Sequence, residues 1–466
     1  MTEETPQSPS TPETRHCPAC GAGNPDRARY CMECAASLSG DGLPPVHPKR
    51  VVVTGLGAIS SLGTTAPETW RRVLAGETGI KRVESLDPSQ YPCAVRGDVD
   101  NAAVPARFLD GKTLRNTSRF ARWAVEASGE ALLDAGLLDV DLAPTIDLES
   151  AGAVIGTCVG GTHDDLLPAY AAFEQRGPGR IPVHLHVMYP LNLAAYAIQA
   201  RFGMQGPSST VNTACATGSQ AIGDAFHMIK YGYAPVMIAG AAESDSQPMF
   251  IAGFNVMKAL VSDSNDAPER ASRPFDASRA GFVLGEGAGI LVLEELGHAR
   301  ARGARIYAEV LGFASTNDAY HPIAPRPDGS GAAKAIVNAL SDGNVGSDRI
   351  GHVQAHAAST PMGDPAEANA IKLVFGDRAS TIPVTSIKGA IGHCMGAAGA
   401  IESLIAVYSM HEQRIPPTRN YTTPDEAIGL DIVHDEPRLL AFDTMTKNSF
   451  GLGGQNACLV FGKAPE

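Results

Sequence analysis

The chain has 466 residues, 44% apolar and 19% charged, a globular composition with length enough for one large core or two fused ones. Its net charge of −13 argues against a general affinity for nucleic acid. No stretch approaches the roughly 18 uninterrupted apolar residues of a membrane span, and the polar start lacks a signal peptide's basic flank and apolar run, so a cytoplasmic location is expected.

Residues 1–13 are rich in Thr, Pro, Glu and Ser and read as a disordered tail, having nothing to offset the entropy of ordering. Residues 14–38 contain CPACGAGNPDRARYCMEC, two Cys-x-x-Cys knuckles formed by Cys17, Cys20, Cys31 and Cys34. Gly21 permits the turn after the first knuckle, and four thiolates at this spacing can take the corners of a tetrahedron around a structural zinc ion. The metal would supply the folding energy that so short a segment cannot draw from a core. A pair of redox dithiols would instead call for a thioredoxin-like fold. The segment resembles small zinc ribbons, except that Ala35 stands where a second glycine is usual. Residues 39–48, SGDGLPPVHP, read as a linker.

From Arg50 onward, strands and helices alternate. RVVVTGLGAIS is a β-branched run stopped by small residues; a helix follows near Glu68 to Ala75, and a longer one from about Thr117 to Ala135 turns Phe120, Ala124, Ala127 and Ala131 to one face. AGAVIGTCVGG and VMIAGAAES are continuous apolar runs, which suit strands covered on both faces of a largely parallel sheet. RIYAEVLGFAST then echoes RVVVTGLGAIS, so the fold class expected is α/β with a duplicated core layered helix, sheet, helix, sheet, helix. The halves span 49–302 and 303–466, divided near Gly303.

The cysteines of the main body, Cys93, Cys158, Cys215, Cys394 and Cys458, are scattered and do not form a disulfide framework. Cys215 differs from the rest. In GPSSTVNTACATGSQAIGDAFHMIKYG a strand meets a turn of small residues and then a helix, with Ala221, Ile222, Ala225, Phe226 and Ile229 inward and Gly232 at its end. A thiol at a helix N-terminus is expected to have its pKa lowered, beside amides able to receive an oxyanion. Taken alone, a buried cysteine beside small residues is more often packing. His356 stands on the turn after the strand IGHVQ, and Lys388 and His393 follow a short strand in VTSIKGAIGHCMGAAGAIESLIAVYSM. Either histidine alone would be a satisfied loop residue, but a thiol and two histidines on turns at strand ends can converge where the halves meet.

VVVTGLGAISSLG, GPSSTVNTACATGSQAIGDA, SRPFDASRAGFVLGEGAG, HAASTPMGDPAEANAI, SIKGAIGHCMGAAGAIES and NSFGLGGQNACLVF, in this order, resemble the type II elongating β-ketoacyl-acyl-carrier-protein synthases of the thiolase superfamily, over about Arg50 to Gly462. The resemblance implies a five-layered thiolase-like fold, a dimer, and decarboxylative condensation of a malonyl thioester with an acyl chain. It implies that Cys215 carries the acyl chain, that His356 and His393 assist decarboxylation and stabilise the enolate, and that Lys388, paired with Glu402, plays a supporting part. The amides of Cys215 and Leu452 would form the oxyanion hole, with Phe450 and Leu452 on a gating loop and Thr360 bonding the pantetheine arm. No catalytic cofactor is implied, since the substrate rides on the phosphopantetheine of an acyl carrier protein. Lys112, Arg115, Arg180 and Lys258 match the family's carrier-binding surface.

Several positions depart from the family pattern. Ala357 and Ala358 stand in the usual His-Gly-Thr-Ser-Thr stretch, Leu452 replaces the gate phenylalanine, Gln455 a threonine and Ala280 an aspartate. None is a reacting group; they point to a specialised polyketide or polyene pathway, with housekeeping fatty-acid elongation as the alternative. Two further readings are a non-condensing chain-length-factor-like subunit and a zinc-ribbon scaffold. Retention of Cys215 speaks against the first, and joint retention of Cys215, His356, Lys388 and His393 against the second. The partner subunit would be an identical chain or a chain-length-factor-like one.

Overall fold

The computed structural model describes residues 14–17, 20–25, 48–245 and 247–465. These fall into two compact units divided after Pro48. In the first, Thr14–His16 pairs antiparallel with Gly23–Pro25. The turn between them closes with Gly21 N–H donating to the Cys17 carbonyl at 2.8 Å, Gly21 having the positive φ of 78° that the knuckle requires. Cys31, Cys34, the expected tail and the expected linker up to His47 lie outside the described residues.

The second unit runs β1 (Val51–Ile59), α1 (Arg119–Asp134), β2 (Gly152–Gly156), α2 (Leu193–Phe202), β3 (Ser208–Val211), α3 (Thr217–Lys230), β4 (Val236–Glu243), β5 (Gly287–Glu295), β6 (Ala308–Asn317), α4 (Ser330–Asp342), β7 (His352–Gln354), α5 (Gly363–Phe375), β8 (Pro383–Thr385), α6 (Met395–Glu412), β9 (Thr444–Gly451) and β10 (Gln455–Lys463). Across the sheet the strands stand in the order β8, β7, β9, β10, β6, β1, β5, β4, β2, β3, with the short strand Asp431–Ile432 beyond β8. Counted outward from the β6–β1 junction, each half presents its first, fifth, fourth, second and third strand. The duplication expected from the two echoing segments is therefore a duplication of topology.

The sheet is mixed, not largely parallel. In each half the second, third and fourth strands are parallel, but the fifth runs antiparallel to both its neighbours. For β10 the cause is local: Gly453 and Gly454, at φ 80° and 71°, turn β9 back on itself as a hairpin, which needs no crossover helix.

One hydrophobic cluster takes Val53 and Leu291 from the first half-sheet, Met445 and Leu459 from the second, and Ile222, Phe226, Ile401 and Leu404 from α3 and α6, so these two helices are the middle layer. α6 is buried from Met395 to Met410 and apolar on nearly every side, Glu402 being the charged residue of that span. α1 and α2 cover the outer face of the first half, and α4 and α5 that of the second. Phe120, Ala124, Ala127 and Ala131 of α1 face inward as the periodicity requires. The glycines of β1 are explained by this layer: a Cβ on Gly57 would stand 1.9 Å from the Ala127 carbonyl oxygen.

The middle helices touch through their backbones. A Cβ on Gly218 would stand 2.4 Å from the amide nitrogen of Ala400, and one on Gly399 2.6 Å from that of Ser219. Gly218→Ala is thus expected to cost about 2–3 kcal/mol, read as a lowered urea midpoint, because neither backbone can move aside. Gly253→Ala, at an exposed position of the helix Pro248–Val256 with nothing within 4 Å of the added carbon, is the control and should be neutral or stabilising by up to about 1 kcal/mol. Equal midpoints for the two variants would contradict the close approach.

Candidate active site

Cys215 follows β3, His356 follows β7 and His393 follows β8, and all three line one cavity of about 330 Å³. Cys215 and His393 each lie beyond the third strand of their half and just before a middle helix, so the α3–α6 contact brings them to the same place. Ala214, at φ 49°, makes the turn into Cys215. Thr217 braces it, its hydroxyl accepting from the Thr213 N–H at 2.8 Å. Gly451 closes the other side, where a Cβ would stand 2.9 Å from the Cys215 amide nitrogen.

The Cys215 sulfur is met by its own N–H and that of Leu452. Burial nevertheless pushes the thiol up to about 11, against the pull of the Lys388 charge and the two amides. The lowering expected from the helix N-terminus is outweighed because the residue is only 7% exposed, and desolvation penalises the thiolate more than the amides favour it. The resting group is a thiol.

The His356 and His393 rings meet edge to face, 5.3 Å between centroids and at 81°. Burial first, then the charges of Lys388 and Lys447, hold both well below the usual histidine range, so each is a neutral imidazole with an N–H to donate. The backbone of His393 is fixed by its N–H to the Val283 carbonyl at 2.7 Å. That of His356 is fixed by Glu367, which accepts from the amides of His356 and Ala357 at 2.9 and 2.7 Å. Phe450 packs against the His356 ring and Phe282 against that of His393.

Lys388 is 1% exposed and lies beneath the pair. Its Nζ is ion-paired with Glu402, donates to the His356 carbonyl, and stands 3.4 Å from His356 Nδ1. Thr360, Ala358 and Leu452 line the cavity wall. The Thr360 hydroxyl accepts from the Gly363 N–H at 3.0 Å and keeps its own proton to donate. The hairpin tip carrying Leu452 is tied to the opposite rim, with Gly453 N–H donating to the Pro322 carbonyl at 2.8 Å and Asp318 N–H to that of Gly454 at 2.9 Å.

Of the four cations assigned to carrier binding, only Lys258 stands on the cavity wall. Lys112 and Arg115, on the short helix Gly111–Arg115, and Arg180 are exposed outside it. Glu367, on the cavity wall, and Lys447, buried against Glu402, escape the motif reading. Glu367 is one of two carboxylates in GDPAEANAI, both buried, and no local pattern marks which one meets the His356 turn; Lys447 stands in TMTKNSFG, a mostly polar segment where a lysine breaks no pattern. Of the proposed zinc ligands Cys17 and Cys20 are described and Cys31 and Cys34 are not. Among the described residues no group of three or more His, Cys, Asp or Glu side chains is placed to hold a metal ion, and no helix is long and apolar enough to cross a membrane.

The chain matches the family models for the β-ketoacyl synthase N-terminal domain over residues 48–299 and C-terminal domain over 307–422. Among curated proteins it is 41% identical over 419 residues to a 3-oxoacyl-[acyl-carrier-protein] synthase 2 of Coxiella burnetii, covering 90% of this chain and 99% of that one. A protein of the same name from Synechocystis is 42% identical over 418 residues, with the same coverage. Among solved structures, a type II polyketide ketosynthase in complex with its acyl carrier protein aligns with a TM-score of 0.81 at 32% identity, over 90% of this chain and all of that one. The ishigamide ketosynthase/chain length factor gives the same values, and a β-ketoacyl synthase from Burkholderia phymatum gives 0.82 at 34% identity over the same shares.

Proposed function

The chain belongs to the β-ketoacyl synthase family and is a condensing acyltransferase, and we propose that it works through Cys215, His356 and His393, with substrates carried on the phosphopantetheine of an acyl carrier protein. The observation that carries this reading is one cavity holding a thiol faced by two backbone N–H groups and two neutral imidazoles. In the first step the Cys215 sulfur attacks the acyl thioester; the new thioester forms, the carrier's breaks, and the Cys215 proton leaves with the pantetheine sulfur. The amides of Cys215 and Leu452 receive the oxyanion. In the second, the malonyl carbon–carbon bond breaks, carbon dioxide departs, and the electron pair left behind forms an enolate whose oxygen accepts from the two imidazole N–H groups. The enolate carbon then attacks the acyl carbonyl, a carbon–carbon bond forms, and Cys215 is expelled as thiolate to regain a proton. Lys388, held by Glu402, supports the pair without exchanging protons; Phe450 and Leu452 gate entry, and Thr360 holds the pantetheine arm.

Ala357, Ala358 and Leu452 support a specialised type II polyketide or polyene pathway in the cytoplasm, as do the ketosynthase structures. The names of the curated relatives favour a second reading, fatty-acid elongation. Products decide: several uninterrupted condensations from malonyl carrier alone support the first, and a single condensation on a saturated acyl primer supports the second. Cys215→Ala is expected to leave no acyl adduct by mass spectrometry and to abolish condensation; a rate within about tenfold of the parent, little more than 1.4 kcal/mol of barrier, would exclude this mechanism. His356→Ala and His393→Ala are expected to suppress malonyl decarboxylation more than acyl transfer, and a variant blocked mainly at acyl transfer would refute that assignment.

Lys112, Arg115, Arg180 and Lys258 form the proposed landing surface for the carrier. Reversing Lys112 and Arg115 to glutamate is expected to raise KM for carrier-bound substrate and to leave a small thioester analogue nearly unaffected. Equal effects on the two substrates would remove the patch from consideration.

Two assembly proposals complete the reading. β3 is a partly exposed edge strand, and Tyr170, Phe173, Val183, Val187 and Tyr196 are exposed large apolar residues preceding it; both favour a dimer, with an identical or a chain-length-factor-like partner. Cys17, Cys20, Cys31 and Cys34 are proposed to hold a structural zinc ion, and the N-terminal segment to tether the enzyme to a pathway partner. Native mass spectrometry reads both, with two chains and one zinc per ribbon-bearing chain expected. A monomer, or a chain free of zinc, would refute the corresponding proposal.

A further inference from the structure

Lys447 lies on β9, in register with Gln354 of β7 and Leu459 of β10, and its side chain is 0% exposed. Its Nζ donates to the Ser219 hydroxyl of α3 at 3.2 Å, to the Asn448 carbonyl at 2.9 Å and to the Ser449 hydroxyl. These use its three N–H directions. It also stands 2.9 Å from Glu402 Oε2 of α6, a contact of charge. The other oxygen of Glu402 holds Lys388. One buried carboxylate thus serves two buried ammonium groups, one beneath the histidines and one behind.

A second carboxylate lies close by. Glu367 accepts from the amides of His356 and Ala357 and from Asn448 Nδ2 at 3.2 Å. Two carboxylates and two lysines therefore make up the floor of the site. Without Lys447, Lys388 alone would face both carboxylates in a region with little solvent to screen them, and the floor would be negative where the reaction builds negative charge on an enolate oxygen. We propose that Lys447 is a positioning residue for the condensation: acting through Glu402, it supplies the second positive charge that the two buried carboxylates require, leaving Lys388 and the histidine pair to face the enolate. This rests on the catalytic reading given above.

The sign of the pH effect follows from the groups in place. Lys447 faces Glu402, Lys388, Glu367 and, across the hairpin, the Cys458 thiol. The histidines face Lys388, Lys447 and each other, with Cys215 on the same cavity. Both lysines lower the proton affinity of the imidazoles. Removing one charge raises that affinity, so the neutral donors are lost at a higher pH on the acid side, and the acid limb of decarboxylation moves up.

The test uses the full-length enzyme with Lys447→Met, which keeps the length and removes the charge. Malonyl decarboxylation is expected to fall by about tenfold or more near neutral pH, with its acid limb moved upward, while acyl transfer to Cys215 stays within about threefold of the parent. Lys447→Gln, which retains a hydrogen-bonding head, is expected to behave likewise and carries the test if Lys447→Met unfolds. Parallel losses in both half-reactions with an unmoved acid limb would make Lys447 merely structural and overturn the proposal, as would two parent-like rates. A parent enzyme that fails to acylate Cys215 would sink the catalytic reading itself; an acylated parent with unaffected variants sinks only the role of Lys447.

Discussion

The whole site hangs on the backbone contact between α3 and α6. Helices normally cross with side chains between them, at axis separations of about 8–10 Å. Here Gly218 and Gly399 remove those side chains, and the two N-terminal turns close on each other. Cys215 precedes one turn and His393 the other, so the separation of thiol and imidazole is set by main-chain van der Waals contact. Such a joint has no slack. Cys215, His356 and His393 are carried on turns, but the turns are clamped by elements buried between two half-sheets.

Electrostatics sets the second constraint. Enclosing the cavity keeps the imidazoles neutral and the thiol protonated, both consequences of desolvation. The same desolvation would make a carboxylate costly unless it is fully paired. Glu402 and Glu367 meet that demand differently, the first through two lysines and the second through three N–H donors. A low-dielectric site with every formal charge answered can keep its dipoles aimed at the place where charge develops, and does not have to reorganise when it does.

Much of this was legible in the chain itself. Strand, small-residue turn and apolar helix located Cys215, and the same pattern with Lys388 and His393 in the other half located its counterpart. The echo between the opening strands foretold a repeated strand order. What was not legible depends on distance in the sequence. Parallel or antiparallel pairing of a fully buried strand leaves no trace in its pattern of apolar residues, so the direction of the fifth strands was missed. The sign of the Cys215 shift could not be read from the helix start either, because the opposing effect comes from residues hundreds of positions away that seal the cavity. Lys447 is not legible at all: TMTKNSFG is mostly polar, so a lysine there breaks no pattern, and its partners Ser219 and Glu402 come from two other elements.

The contact between the middle helices is reciprocal: Gly218 meets Ala400, and Gly399 meets Ser219. With identical strand order on either side, the two halves repeat one topology around this contact. The frame repeats and its occupants do not, for the turn that carries a thiol on one side carries an imidazole on the other. A pair of identical units meeting in this way would offer the same side chain twice. In one linked chain the two positions can differ, so a thiol facing an imidazole is an arrangement that the linked polypeptide makes possible and a symmetric pair of identical chains could not hold.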